Sequence, residues 1–191
     1  MNTPRTSHTS SGHTHAATTP TGVLREEHEV ILRALTVLER VGRDLAAGKS
    51  VAQETIASLA NFFRTFADRC HHAKEEAHLF PAMAEHGIPK EGGPIGVMLQ
   101  EHEEGRALVR TFAQSESATA VAAIRRFVIL LRDHIAKENE ILFPMADQVI
   151  PEREQAAMMN KFELAEQEVA GPGVHQKLIV ELEQLEAATA K

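Results

Sequence analysis

Apolar residues recur at helical spacing along almost the whole chain beyond residue 20. Leu24, Ile31, Leu32, Leu35 and Leu38 form one stripe, which predicts a helix from Thr21 to a stop at Gly48. A second helix is expected after Ser50 as N-cap, with Leu59, Phe63, Phe66, Ala67 and Leu79 facing inward. Pro81 should kink or loosen its last turn before Gly87 ends it. Residues 87–94, with Gly87, Pro89, Gly92, Gly93 and Pro94, read as a loop. A third helix carries Ile95, Met98, Leu99 and Val109 on one face. After a turn at Ser115–Ser117, with Ser117 a candidate N-cap, a fourth presents Ile124, Phe127, Leu131, Ile141 and Leu142 inward. Pro144 sits near its end. Beyond Pro151 an amphipathic stretch runs to about Val169, followed by a Gly171-Pro172-Gly173 break and a last short helix.

Residues 1–20 are rich in Ser, Thr, His and Pro and cannot bury enough apolar surface to offset chain entropy, so a disordered tail is expected there. The chain thus divides into a tail (1–20), a helical core (21–150) and a C-terminal helical extension (151–191). The extension either packs on the core or mediates a homodimer.

Polar residues interrupt the apolar stripes at matching places. The segment His71-His72-Ala73-Lys74-Glu75-Glu76-Ala77-His78-Leu79-Phe80-Pro81 is echoed by His134-Ile135-Ala136-Lys137-Glu138-Asn139-Glu140-Ile141-Leu142-Phe143-Pro144. Laid in register, His71 matches His134 and Glu75 matches Glu138. Glu27-His28-Glu29 precedes the first copy as Glu101-His102-Glu103 precedes the second. The pattern is a duplicated helical hairpin, and two hairpins make an all-α, up-down-up-down four-helix bundle. A His and a Glu four apart lie on one helix face, so His28, His71, Glu75, His102, His134 and Glu138 can converge in the bundle core as a cage for two metal ions.

Neutral imidazole suits iron, copper and zinc, and carboxylates can bridge two ions. Two six-coordinate ions offer about twelve places. Four histidines, two bridging carboxylates and one bridging oxygen fill all but about two of them. A dication pair would also explain how two carboxylates are tolerated inside a protein.

Several neighbours are set aside by register. His72 and Glu76 share the four-residue spacing, but the Leu-Phe-Pro alignment selects His71 and Glu75. His78, His86 and His175 are expected at the surface, and Lys74 and Lys137 in solvent or paired with surface acids. Cys70 reads as a buried structural thiol. A ferritin-like site needs two Glu-x-x-His pairs; Glu75-x-x-His78 supplies one, but Ile141 stands where the second histidine would be.

Composition narrows the function classes. A net charge of −7 argues against a nucleic-acid partner, and no apolar run approaches the ~20 residues of a membrane span. One cysteine excludes an internal disulfide, and the N-terminus has no apolar signal region, so a cytoplasmic location is expected. Tyr and Trp are absent, which removes tyrosyl-radical chemistry and phenolate ligation.

The ordered pattern His … His-x-x-x-Glu … His … His-x-x-x-Glu, with Lys before each Glu and Leu-Phe-Pro after it, resembles the hemerythrin-like (HHE cation-binding) family over roughly residues 22–148. The stretch from Glu91-Gly92-Gly93-Pro94 through His102-Glu103-Glu104-Gly105-Arg106 is similar to the bacterial single-domain branch. The resemblance implies a non-haem centre of two iron ions, oxo-bridged and bridged by the carboxylates of Glu75 and Glu138, with His28, His71, His102 and His134 as terminal ligands. It implies binding of a diatomic gas, oxygen or nitric oxide, for protection or sensing. The alternatives are an enzyme acting on peroxide or nitric oxide, and iron storage or repair. The oxygen-carrying hemerythrins use five histidines, whereas four stand at matching places here. A carboxylate such as Glu27 or Glu101 could fill the additional place.

Overall fold

A computed structural model describes residues 18–115, 117–169, 171 and 173–189. The expected disordered tail lies outside the described residues up to 17. Within them the chain is all-helical, and no helix is long and apolar enough to cross a membrane.

Helix α1 (Pro20–Ala46) opens on Thr19, whose hydroxyl accepts the Gly22 N–H at 3.1 Å, with Pro20 in the first turn where no N–H is required. It is closed by Gly48 at φ 72°, in the left-handed region. Helix α2 runs through residues 53–85. It begins at Gln53 with Ala52 in the cap position and no side-chain cap, so the expected N-cap role of Ser50 is not realised. Helix α3 spans Pro94–Gln114. Its N-cap Gly93 is obligatory, because a Cβ there would stand 2.2 Å from the Pro89 carbonyl oxygen. Helix α4 covers residues 117–149, α5 is Glu152–Val169 and α6 is Val174–Thr189.

Helices α2 and α4 are not α-helical throughout. Phe63–His72 and Glu75–Leu79 in α2, and Glu138–Leu142 in α4, are π-helical. The Phe80 N–H donates to the Glu75 carbonyl and the Phe143 N–H to the Glu138 carbonyl, five residues back in each case. The two short π-turns each end on the Leu of a Leu-Phe-Pro segment. Proline lacks the N–H that would continue the α-ladder, and the wider turn absorbs the missing donor. The loosening expected at Pro81 therefore falls one turn ahead of it, and recurs at Pro144. It also corrects one inward assignment: Ile141, expected in the core, is 55% exposed because the π-turn rotates it outward while Glu138 and Leu142 stay inside.

Helix α4 packs along both α1 and α3, and α2 packs against α1 and α3. The interior holds two apolar clusters. One gathers Ile31, Leu35, Leu38, Phe63, Phe66, Phe112, Phe127 and Leu131; the other gathers Leu24, Leu79, Phe80, Met98, Leu142 and Phe143. On each of the first four helices the expected site residues fall between a residue of one cluster and a residue of the other. A polar layer is thereby sandwiched inside an apolar interior. The C-terminal helices supply core residues of their own: Met158 and Phe162 of α5 join one cluster, Leu178 and Leu182 of α6 the other. Arg33 of α1 donates two hydrogen bonds to Glu186 of α6, at 2.9 and 2.7 Å.

Candidate metal centre

The polar layer contains His28, His71, Glu75, His102, His134 and Glu138, all at most 1% exposed. Their potential ligand atoms form two groups, each lying within 4.8 Å: His28, His71, Glu75 and Glu138; and His72, Glu75, His102 and His134. That span is little more than twice a ~2.1 Å metal–nitrogen or metal–oxygen bond. Glu75 belongs to both groups. Its Oε1 lies 3.5 Å from His71 Nε2 and its Oε2 3.5 Å from His102 Nε2. Glu138 Oε2 lies 3.2 Å from both His28 Nε2 and His134 Nε2. Each carboxylate therefore reaches histidines of both halves of the repeat.

The far side of four imidazoles is anchored. His28 Nδ1 lies 2.9 Å from Asn139 Oδ1, whose orientation is set by Arg25. Nδ1 donates to Glu27 at 2.9 Å in His71, to Glu76 at 2.7 Å in His102, and to Glu101 at 2.9 Å in His134. A carboxylate can only accept, so these bonds place a proton on Nδ1 and direct Nε2 at the centre. Glu27 is held in turn by Lys74, and Glu101 by Lys137. Two Lys–Glu–His chains thus repeat the internal duplication in three dimensions.

The expectations for Lys74, Glu27 and Glu101 need correcting here, while Lys137 pairs with an acid at a partly exposed place as expected. Lys74 is 1% exposed, lying beneath the Phe162 ring of α5 and bonded to buried Glu27. Its counterpart Lys137 has no such cover and is 38% exposed. Glu27 and Glu101 do not enter the ligand groups; they orient histidines from behind. Glu76, set aside by register, does the same for His102 and is gripped by Arg106 at 2.7 Å.

The largest departure is His72. It was set aside in favour of His71, yet both are buried and both contribute to the ligand groups. The i→i+5 pattern of Phe63–His72 packs more residues into a turn, so adjacent side chains diverge by a smaller angle than in an α-helix. His71 and His72 can then both face inward. The His72 ring stacks on His102, centroids 3.8 Å apart and planes 15° apart. The doubled His-His was the available signal, but the register of the repeat told against it. The other described histidines stay outside the layer. His86 pairs with Glu154 at 2.9 Å, His78 stands 6.0 Å from the Phe162 ring and His175 abuts Phe66. All three are half-buried rather than at the surface. Cys70 is buried, as expected.

The electrostatics are those of a cradle suited to positive charge. Both oxygens of Glu75 and of Glu138, and the Nε2 atoms of His28 and His71, are buried without a hydrogen-bond partner among the described residues. Burial, then repulsion from Glu138, holds the Glu75 carboxyl well above its ordinary range. Burial pushes Glu138 the same way, but the neighbouring His134 and His28 overcome it and hold its carboxyl well below. His71 is pushed down to about 4, chiefly by burial and then by His28, and burial likewise lowers His72. For His134 burial is outweighed by Glu138 and Glu101, and it is raised to about 9. A proton on His134 stands in for part of a cation's charge. Orphaned acceptors facing bare imidazole lone pairs are what bound divalent ions would satisfy, and the residues present fit such ions.

The model of the hemerythrin HHE cation binding domain matches residues 19–146, and the chain belongs to that family. Uncharacterized proteins of Mycobacterium bovis (strain ATCC BAA-935 / AF2122/97) and of Mycobacterium tuberculosis (strain ATCC 25618 / H37Rv) are each 25% identical to it over 179 residues, 88% of this chain and 69% of theirs. No solved structure gives a significant match.

Proposed function

From this membership we propose that the polar layer holds two iron ions, bridged by Glu75 and Glu138, inside an up-down-up-down four-helix bundle, and that the protein binds oxygen or nitric oxide. Metal binding itself is what the family and the buried His/Glu groups support directly. His28 and His71 would hold one ion; His72, His102 and His134 the other. The observation that carries this reading is the set of buried, partnerless carboxylate oxygens facing inward-directed Nε2 atoms, since a buried acceptor without a partner costs about 1–3 kcal/mol.

His72 bears on the choice of ligand. With five histidines, and with Glu75 and Glu138 each within reach of histidines of both groups, the His28/His71 ion would have four protein donors and the other five. One further bridging oxygen would leave a single place on the His28/His71 side, the number a diatomic ligand needs. Iron in such a setting supplies reversible one-electron redox and affinity for diatomic gases. The protein residues hold the imidazoles in the correct tautomer and exclude water, with Phe143 stacked on His28 at 5.3 Å.

The test is metal content with absorption spectra before and after anaerobic reduction. About two irons per chain and a visible band that bleaches on reduction support the proposal. Zinc, or no metal and a featureless spectrum, would refute it. Many turnovers of peroxide or nitric oxide per site would favour an enzyme, and release of iron to a weak chelator under mild reduction would favour storage or repair.

A further inference from the structure

Four of the five inward histidines have an Nδ1 partner supplied by the chain. His72 does not. Its Nδ1 is buried with no hydrogen-bond partner among the described residues. The nearest carboxylate is that of Asp68, one helical step back, at 3.9 Å. That is beyond hydrogen-bond reach, and Asp68 is instead engaged by Arg106, whose Nε donates to it at 2.7 Å.

His72 and Asp68 both border a cavity of about 260 Å³ between α2, α3 and α4. Its lining includes His72, Asp68 and Glu101, and four arginines: Arg64, Arg69, Arg106 and Arg110. Both carboxylates are already occupied, Asp68 by Arg106 and Glu101 by Lys137 and His134. The lining therefore carries surplus positive charge. Arg64, Arg69 and Arg110 are exposed and can turn toward a guest. The volume is several times the ~30 Å³ share of one water in the liquid, and guanidinium groups match the oxygens of oxyanions in pairs.

We propose that this cavity binds a small oxyanion, which accepts the Nδ1–H of His72 and so does from outside the chain what Asn139, Glu27, Glu76 and Glu101 do for the other four histidines. The inference rests on the metal-centre reading, because its consequence is felt there. By fixing the tautomer that directs Nε2 inward, the anion strengthens His72 as a ligand. Anion and metal then bind with positive, reciprocal coupling. Loss of such an outer partner typically costs 10–100-fold in metal affinity, so about a tenfold tightening is expected.

The probe is sulfate, with chloride at matched ionic strength as control. In metal-free protein labelled with nitrogen-15 at histidine, sulfate should shift the His72 ring signals saturably toward the Nδ1–H tautomer. The shift should vanish in the doubly substituted Arg64→Gln/Arg110→Gln protein, whose exposed changes leave the fold intact. With zinc as a redox-silent ion, sulfate should tighten the weaker of two binding steps about tenfold in the unsubstituted protein and not in His72→Ala. No sulfate-specific shift, an equal response to chloride, or a response unchanged by loss of the two arginines would overturn the proposal. If the His72 signals respond to sulfate but no metal binds, the cavity stands and the metal-centre reading fails. Two bound zinc ions with silent His72 signals would mean the reverse.

Discussion

Replacing Glu75 by methionine should change stability in opposite directions with and without metal. Glu75 is fully buried, both of its oxygens lack partners, and repulsion from Glu138 adds to the cost of burial. Each orphaned acceptor costs about 1–3 kcal/mol, and an apolar side chain of similar volume removes both. Methionine is unbranched, of similar length, and adapts to the space between His71 and His102. A gain of about 3 kcal/mol is expected in metal-free protein. At about 2–4 °C per kcal/mol for a domain of this size, Tm should rise by roughly 6–12 °C. With metal the order reverses. Ions at a thousand times Kd stabilise the native protein by about 4 kcal/mol per site, and Glu75→Met removes a donor common to both sites. The assay is calorimetric melting of both proteins after chelation and again with added divalent metal. A lower metal-free Tm for Glu75→Met would show that Glu75 makes net favourable contacts of its own, and the idea of a cradle held open for cations would be wrong.

Other expectations follow from the same geometry. His72→Ala should lower bound metal from about two ions per chain toward one, keeping the His28/His71 site; unchanged stoichiometry by elemental analysis would remove His72 from the ligand set. Glu76→Ala should retain metal but weaken it roughly 10–100-fold, since Glu76 orients His102 without entering the ligand groups; an empty site would mean that Glu76 is itself a ligand. Lys74→Met should cost about 3–5 kcal/mol in chemical denaturation by stranding buried Glu27, whereas Lys137→Met, at a partly exposed pair, should cost about 1 kcal/mol or less; equal losses would contradict the asymmetry produced by α5. Burial works against Glu27, but His71 and Lys74 prevail and lower its carboxyl to about 2 from 4.5. Its contribution is therefore complete above about pH 4.5 and lost as pH falls toward 2, on the order of 3 kcal/mol in all. Glu27→Gln should flatten that slope in pH-dependent unfolding, and parallel slopes would refute the assignment.

Much of the candidate centre was legible in the sequence because its logic is local. A His and a Glu four apart share a helix face whatever the helix packs against, and the duplication of His71/Glu75 in His134/Glu138 marked which of two overlapping pairs to select. Apolar stripes on either side placed those residues in the interior. What the sequence could not show depends on angles and neighbours supplied by the rest of the fold. His72 joins the layer only because α2 is underwound to π-helix ahead of it, and Ile141 leaves the core through the matching turn in α4. Lys74 and Lys137 hold equivalent places in the repeat, yet only Lys74 is sealed, because Phe162 arrives from a helix some ninety residues further on. The Nδ1 anchors of four histidines likewise come from other helices. Spacing along one helix sets which side chains share a face, and it was enough to bring together six of the seven buried His and Glu residues of the two groups; the partners that orient them are set by contacts between helices and exist only once the chain has folded.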